Sequence, residues 1–229
     1  MLLEVGDLFS SLERDYETRV VVLGGRGRMF SPGADRKPPI PEEALPDPKT
    51  DRERRYVAGL GRRACRAIED CEVLTIARIH GHAVGGACCF AMACDFRVAT
   101  EDALLRVPEV ELGVPLTWGA VPRLIHEVGA ARAREILLLC EDVDGRKALE
   151  WGMVHRAVPA EDLDATVDEL ARALAEKPEM AVYMTKTQLR GYARRANLGD
   201  ATETDVDMID VSMRSESGSG LFAMRKKKG

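Results

Sequence analysis

Two short apolar segments, each followed directly by a glycine-rich turn, constrain the fold of this chain more than any other feature. Residues 19–23 read RVVVL and residues 73–79 read VLTIARI. Continuous apolar runs of this length are typical of strands that are buried on both faces of a parallel sheet. A helical pattern over residues 51–71 separates the two runs, and helical patterns dominate from residue 120 onward. This alternation predicts an α/β fold with a parallel sheet, followed by a helical region.

Composition excludes several classes of protein. The 229 residues are enough to bury a full core, and the net charge of -5 comes from interspersed acids and bases, which is not typical of a nucleic-acid-binding protein. No stretch approaches the roughly 20 apolar residues of a membrane span, and the N-terminus lacks the basic region of a secretory signal. The 6 cysteines form no C-x-x-C pair. We therefore predict a cytoplasmic protein that binds neither nucleic acid nor membrane.

The first candidate for chemistry is the glycine-rich segment GGRGRMFSPGAD at residues 24–35. A strand that runs into such a turn can direct backbone N–H groups into a cleft, and Gly33 permits backbone angles that other residues avoid. The phosphate-loop pattern is absent because no GK[ST] follows, and the dinucleotide pattern fails because Phe30 replaces its third glycine. An ordinary tight turn is the alternative interpretation.

The second candidate is HGHAVGGACCFAMACD at residues 80–95, where a strand ends and two glycines precede a helix of small residues. Unpaired N–H groups and a partial positive charge at a helix start suit an anion or a developing oxyanion. The alternative is a helix start that serves packing alone. His80 and His82 form an H-x-H pair, but no carboxylate or cysteine completes a ligand set, so we predict no metal site.

The third candidate is Glu109, which lies between Pro108 and Val110 in an apolar run. A carboxylate there would be desolvated and its pKa raised, which suits a general base near neutral pH. The alternative is a surface acid at the end of a strand.

In their order and spacing these segments resemble the enoyl-CoA hydratase/isomerase (crotonase-like) family. The family's F-S-x-G-x-D-x-K motif is matched by Phe30, Ser31, Gly33, Asp35 and Lys37. Its G-x-A-x-G-G-x-C…A-x-x-C-D motif is matched by Gly81, Ala83, Gly85, Gly86, Cys88, Ala91, Cys94 and Asp95. Its P-E-x-x-L-G segment is matched by Pro108, Glu109, Leu112 and Gly113, and residues 145–163 resemble its A-x-x-x-G-(L/M)-V…V-V-P segment.

The resemblance implies a crotonase-like core of repeated ββα units over residues 1–165 and a helical C-terminal region for oligomer packing over residues 166–229. It implies a homotrimer or a dimer of trimers. The core is expected to be N-terminally short, because the family's early strand pair has no counterpart, and the edge of the sheet is then uncovered. The basic residues 225–228 are interpreted as a solvated tail, with contact to coenzyme phosphates as the alternative.

The resemblance also implies roles for single residues. The backbone N–H groups of Ala34 and Gly86 would hold the thioester oxygen of an acyl-CoA, and Glu109 would act as the catalytic acid–base. Coenzyme A would be part of the substrate, with no permanently bound cofactor. Its neighbourhood would comprise Gly33, Asp35, Lys37 and Gly85, whereas Trp118 would line the acyl pocket or pack in the core.

One departure from the family's sequence pattern favours one of the family's reactions over the others. Hydratases of the family use two glutamates, and the first of these positions is Cys89 here, so only Glu109 remains. Because one base suffices to move a double bond, the sequence favours isomerisation of a 3-enoyl-CoA to a 2-enoyl-CoA. Dienoyl isomerases place an aspartate where this chain has Thr117. An enoyl-CoA hydratase and a non-catalytic acyl-CoA-binding protein are the alternatives.

Overall fold

A computed structural model of the chain describes residues 1–34, 50–196 and 205–214. In these ranges strands and helices alternate up to residue 158, and helices follow. The strands are β1 (Val20–Gly24), β2 (Leu74–Ile79), β3 (His82–Val84), β4 (Phe96–Thr100), β5 (Leu104–Arg106), β6 (Val143–Asp144) and β7 (Arg156–Val158). The helices are α1 (Leu2–Ser11), α2 (Asp51–Ala58), α3 (Leu60–Asp70), α4 (Gly86–Ala93), α5 (Ala120–Arg134), α6 (Gly145–Glu150), α7 (Leu163–Ala175), α8 (Glu179–Ala196) and α9 (Asp205–Arg214).

The strands form two sheets. The larger has the order β1-β2-β4-β7, and every neighbouring pair in it is parallel. The smaller has the order β3-β5-β6, in which β3 and β5 are parallel and β6 is antiparallel to β5. The chain passes from β2 in the first sheet to β3 in the second and then into α4. This is one ββα unit, and the α/β fold with parallel strands and C-terminal helices agrees with the prediction.

The core lies on both faces of the four-stranded sheet. On one face, α3 and α4 bury a large apolar cluster whose centre includes Cys65, Ile68, Ala77 and Ile79. On the other face, the apolar side of α7 packs on the sheet through Leu163, Val167 and Leu170, which contact Ile76 and Val98. The boundary predicted at residue 165 falls within α7, a helix that packs on the sheet.

Some local features differ from the predictions. β1 is an edge strand, and Val22 on it is 41% exposed, so this run is not buried on both faces as its composition suggested. The helix predicted over residues 51–71 is divided at Gly59 into α2 and α3, and Thr50 caps the start of α2. β3 and β6 were not predicted, because their two to three residues are too short to show a period.

Other predictions fall wholly or partly outside the described ranges. They include the helical region predicted as far as residue 229 and the solvated tail predicted for the basic residues 225–228. In the described ranges no helix has the length and apolarity that crossing a membrane requires.

Candidate active site

Backbone hydrogen bonds bring the first and second glycine-rich segments together. Phe30 N–H donates to the carbonyl of His80 at 2.8 Å, and Ser31 N–H donates to that of His82 at 2.9 Å. In return, Val84 N–H donates to the carbonyl of Ser31 at 3.1 Å. Ser31 therefore pairs alongside β3 in a short parallel bridge, and residues 33–34 come to lie beside the turn that starts α4.

Gly33 has the backbone conformation that this approach requires. Its φ is +87°, and a Cβ atom on it would lie 2.8 Å from the carbonyl oxygen of Val84. Only glycine tolerates both the angle and the contact. The next residue, Ala34, is exposed, and its N–H has no acceptor in the described part of the chain.

Gly85 and Gly86 form the start of α4. Gly85 has φ +59° and donates its own N–H to the carbonyl of Arg106 at 2.9 Å. Gly86 is the first residue of the helix, so its N–H has no intrahelical acceptor, and no other acceptor is found for it among the described residues. The helix start therefore offers a second free donor together with the positive end of the helix dipole.

Glu109 lies against this helix start. It belongs to the turn that follows β5, and its carbonyl fixes that turn by accepting the N–H groups of Leu112 and Val114, each at 3.0 Å. A Cβ atom on Gly85 would lie 2.8 Å from Oε1 of Glu109, so the carboxyl is in contact with the glycine turn. Its Oε2 is buried and has no hydrogen-bond partner among the described residues. Such an unpaired buried oxygen is suited to a substrate proton.

Burial raises the pKa of Glu109 from its ordinary value of 4.5 to about 7, and a hydrogen bond from its own N–H opposes this rise. Desolvation disfavours the charged carboxylate, and no charged side chain among the described residues offsets it. The alternative interpretation, a surface acid at the end of a strand, does not account for this raised pKa. A carboxyl with a pKa near 7 can accept and return a proton at neutral pH.

Trp118 lies against Gly86 at the start of α4. A Cβ atom on Gly86 would lie 2.4 Å from Cζ3 of the indole, and one on Gly61 of α3 would lie 1.8 Å from its Cε2. The ring therefore rests directly on the backbones of α3 and α4. Phe90 flanks it with a centroid separation of 5.6 Å.

Cys89, at the position of the first hydratase glutamate, is enclosed by apolar side chains. It is 1% exposed, and its Sγ is 4.0 Å from the carbonyl oxygen of Thr117. Burial raises its thiol pKa well above the ordinary value, so the thiol stays protonated. An adjoining apolar cavity of about 10 Å³, lined in part by Leu116 and Met92, lacks the polar groups that an ordered water needs.

The remaining predicted site residues are placed as follows. Asp35 and Lys37 lie outside the described residues. His80 Nδ1 is 2.9 Å from a nitrogen of Arg78 and its Nε2 is 3.0 Å from the carbonyl oxygen of Gly27, whereas His82 is exposed. No cluster of His, Cys, Asp or Glu suited to a metal ion occurs in the described ranges.

A sizeable cavity lies elsewhere in the described ranges. It measures about 720 Å³ between α3, α5 and α8, and it contacts neither Ala34, Gly86 nor Glu109. Charged side chains on its wall form pairs, including Lys186 with Asp95 at 2.7 Å. We therefore locate the candidate site by its unpaired donors and its buried carboxyl, and not by cavity size.

Two groups that shape the site were missed by the sequence analysis. Arg123 donates to the carbonyls of Trp118 and Gly119 at 3.0 and 2.9 Å, and Asp205 accepts the Gly119 N–H at 2.7 Å. Asp205 is 86 residues from Gly119, so no local pattern announces their contact.

The chain is similar to known proteins of one family. A family model described as enoyl-CoA hydratase/isomerase matches residues 1–228. A crotonyl-CoA hydratase of Syntrophomonas wolfei is 29% identical over 99% of this chain and 81% of its own length. A peroxisomal Delta(3,5)-Delta(2,4)-dienoyl-CoA isomerase of Arabidopsis thaliana is 31% identical over 82% of this chain and 69% of its own.

A solved structure extends the agreement to three dimensions. The crystal structure of an enoyl-CoA hydratase/isomerase from Xanthobacter autotrophicus Py2 superposes with a TM-score of 0.84 at 31% identity, and the match covers 99% of this chain and 83% of the other. The family match across the whole chain and the shared fold lead to one conclusion: the chain belongs to the enoyl-CoA hydratase/isomerase family.

Proposed function

We propose that this protein isomerises a 3-enoyl-CoA to a 2-enoyl-CoA with Glu109 as its single catalytic acid–base. One observation carries the proposal: the Glu109 carboxyl, with its pKa near 7 and an unpaired oxygen, contacts the glycine turn that presents the free Gly86 N–H. At the position where family hydratases keep a second glutamate, the chain has the buried thiol of Cys89.

In this mechanism the thioester oxygen accepts hydrogen bonds from the N–H groups of Ala34 and Gly86. The Glu109 carboxylate removes a proton from C2, and the resulting negative charge develops on the thioester oxygen between the two donors. The protonated Glu109 then delivers the proton to C4, and the double bond moves from C3–C4 to C2–C3. Each oxyanion donor of this kind contributes about two to three powers of ten to the rate.

The raised pKa suits both halves of this reaction. A carboxylate with an ordinary pKa is a weak base toward a carbon-bound proton, whereas one with a pKa near 7 is a stronger base and remains half ionised at neutral pH. The same group can then return the proton, because its conjugate acid is stable in the desolvated site.

Hydration is the second candidate function, and the similarity to a crotonyl-CoA hydratase supports it. Addition of water requires one group that orients the water and another that delivers a proton. The Cys89 thiol is protonated and has no access to water, so it cannot do this work. A hydratase would therefore need a second acid–base group other than Cys89. A non-catalytic acyl-CoA-binding protein is the third candidate.

The proposal also includes the surroundings of the reaction. Coenzyme A would enter as part of the substrate and lie along Gly33, Asp35, Lys37 and Gly85. We propose a homotrimer or a dimer of trimers in the cytoplasm.

The experiment follows the ultraviolet absorbance of the conjugated enoyl thioester. Purified protein is mixed with 3-hexenoyl-CoA and, separately, with 2-hexenoyl-CoA in ¹⁸O-enriched water, and products are weighed by mass spectrometry. An isomerase produces absorbance from the first substrate without incorporating ¹⁸O. Glu109→Gln should abolish this gain while acyl-CoA binding remains. Glu111→Gln is the matched control, because Glu111 is exposed and pairs with Arg106 at 2.7 Å.

Each other outcome selects a different function. Loss of absorbance from the 2-enoyl substrate with ¹⁸O in the product would identify a hydratase and contradict the single-base mechanism. Binding of both substrates without turnover would identify a binding protein. Full activity in Glu109→Gln would remove Glu109 from the chemistry altogether.

A further inference from the structure

Trp118 has an unusual backbone conformation for a bulky residue. Its φ is +63°, and among the described residues the only other non-glycine residue with a positive φ is Cys140. Large side chains avoid this left-handed region unless surrounding contacts hold them there. The glycine that follows, Gly119, also has a positive φ, of +69°.

The side chains of Arg123 and Asp205 hold the strained turn. One guanidinium nitrogen of Arg123 donates to the carbonyls of both Trp118 and Gly119, and another donates to Glu69 of α3 at 2.7 Å. Asp205 at the start of α9 accepts the N–H of Gly119 at 2.7 Å. Burial acts to raise the pKa of Glu69, but Arg123 and Arg194 outweigh it and hold the pKa below its ordinary value, so Glu69 stays charged.

These contacts restrict where the indole can go. It lies against the Cα atoms of Gly61 and Gly86, so the space between α3 and α4 beside the Gly86 N–H is filled. Phe90 packs against it at 5.6 Å between centroids. The clamped backbone and the contacts with Gly61, Gly86 and Phe90 therefore hold the half-buried indole against α3 and α4.

We propose that the Trp118 indole closes the acyl pocket beside the oxyanion donor Gly86 and restricts the enzyme to short-chain acyl-CoA substrates. This inference rests on the proposed function, because it takes Gly86 as the donor that holds the thioester. Glu109 contacts Gly85 and the indole contacts Gly86, so both side chains border the turn that would hold the thioester. Chains that would continue between α3 and α4 meet the ring.

The first test measures chain-length preference. We compare kcat/KM for 3-hexenoyl-CoA and 3-dodecenoyl-CoA in the wild type, Trp118→Gly and Trp118→Phe. Glycine accepts the positive φ and removes the ring, so the preference for the shorter chain should fall by about tenfold or more, since a single methylene in a tight pocket already changes discrimination by that much. Trp118→Phe should keep most of the wild-type preference. Trp151→Phe, remote from this site, should change nothing.

The second test uses the fact that the chain has 2 tryptophans. In Trp151→Phe, Trp118 is the sole tryptophan, and its fluorescence reports on the proposed pocket in a protein that keeps Trp118. Hexanoyl-CoA should change the emission at saturation, whereas coenzyme A alone should not. This measurement stands even where Trp118→Gly fails to fold.

An unchanged chain-length preference in Trp118→Gly, or emission that does not respond to hexanoyl-CoA, would overturn the inference and make Trp118 a packing residue. A different result would refute the proposed isomerase activity alone. If no 3-enoyl-CoA is turned over, but hexanoyl-CoA binds more tightly than dodecanoyl-CoA and Trp118→Gly removes the difference, the pocket assignment holds and the reaction does not.

Discussion

The strongest consequence of the structure concerns Glu109, whose carboxyl should weaken the folded state at the pH where it works. Burial raises its pKa from 4.5 to about 7. At about 1.4 kcal/mol for each tenfold change in proton affinity, this difference is about 3 kcal/mol, and partial access to solvent reduces the expectation to about 2 kcal/mol. Replacement by the neutral isostere in Glu109→Gln should recover this free energy.

The sign of the effect depends on pH. Below about pH 4.5 Glu109 is protonated in the folded and unfolded chains, so it does not affect their difference. Between pH 4.5 and about 7 the unfolded chain loses this proton first, and the wild type loses stability as the pH rises. Above about 7 the loss is complete. The free energy of unfolding of Glu109→Gln, relative to wild type, should therefore increase from pH 4.5 to 8 by about 2 kcal/mol.

The assay is urea unfolding at fixed protein concentration from pH 4.5 to 8 for wild type, Glu109→Gln and the control Glu111→Gln. In parallel, kcat/KM of the wild type should rise with pH to a plateau with an inflection near 7, and at pH 5 it should be about one-hundredth of the plateau value. Parallel stability profiles for wild type and Glu109→Gln, or activity that is flat from pH 5 to 8, would refute the desolvation argument.

Three further predictions test the surroundings of the site. Gly86→Ala should lose about 1–3 kcal/mol of stability in urea unfolding, because its Cβ meets the Trp118 ring. Adding Trp118→Gly to this variant should restore the lost stability. Additive losses in the double variant would contradict the contact. Lys186→Met leaves Asp95 without its ion pair and should lower the free energy of unfolding by about 3–5 kcal/mol by the same method. Lys177→Met, at an exposed position just after α7, should leave stability unchanged. Equal effects of the two variants would show that the Lys186–Asp95 pair does not contribute as a buried ion pair. All 6 cysteines are buried, so none should react rapidly with a thiol reagent at pH 8 until the protein unfolds, and a single fast-reacting thiol would disprove the packing around α4.

Much of the fold could be predicted because its signals are local. The apolar run at residues 73–79 predicted β2 to within one residue of its observed bounds, and the glycine pair before the small residues predicted the start of α4. The division of α2 from α3 at Gly59 was not predicted, because a single glycine in the middle of a helical pattern often leaves the helix continuous. The exposure of Val22 depends on which strand is at the edge of the sheet, which is a property of strand order and not of the run itself.

The site divides in the same way. The motifs contain Gly33, Gly85, Gly86 and the apolar neighbours of Glu109. They therefore made it possible to predict that the glycine turns lie near Glu109 and that the pKa of its carboxyl is raised. The contact of the Trp118 indole with Gly61 could not be predicted, because Gly61 belongs to another helix. The conformation of Trp118 further depends on Arg123 and Asp205, which contact its turn from α5 and α9.

The sequence by itself therefore determined the kinds of element, their order and the chemical groups that meet at the glycine turns, because backbone angles and apolar periods act over a few residues. Only the tertiary structure decided how those groups behave. Desolvation of Glu109, the seclusion of Cys89 and the clamped indole of Trp118 arise from neighbours far apart in the chain, and burial and close contact are properties of the packed molecule.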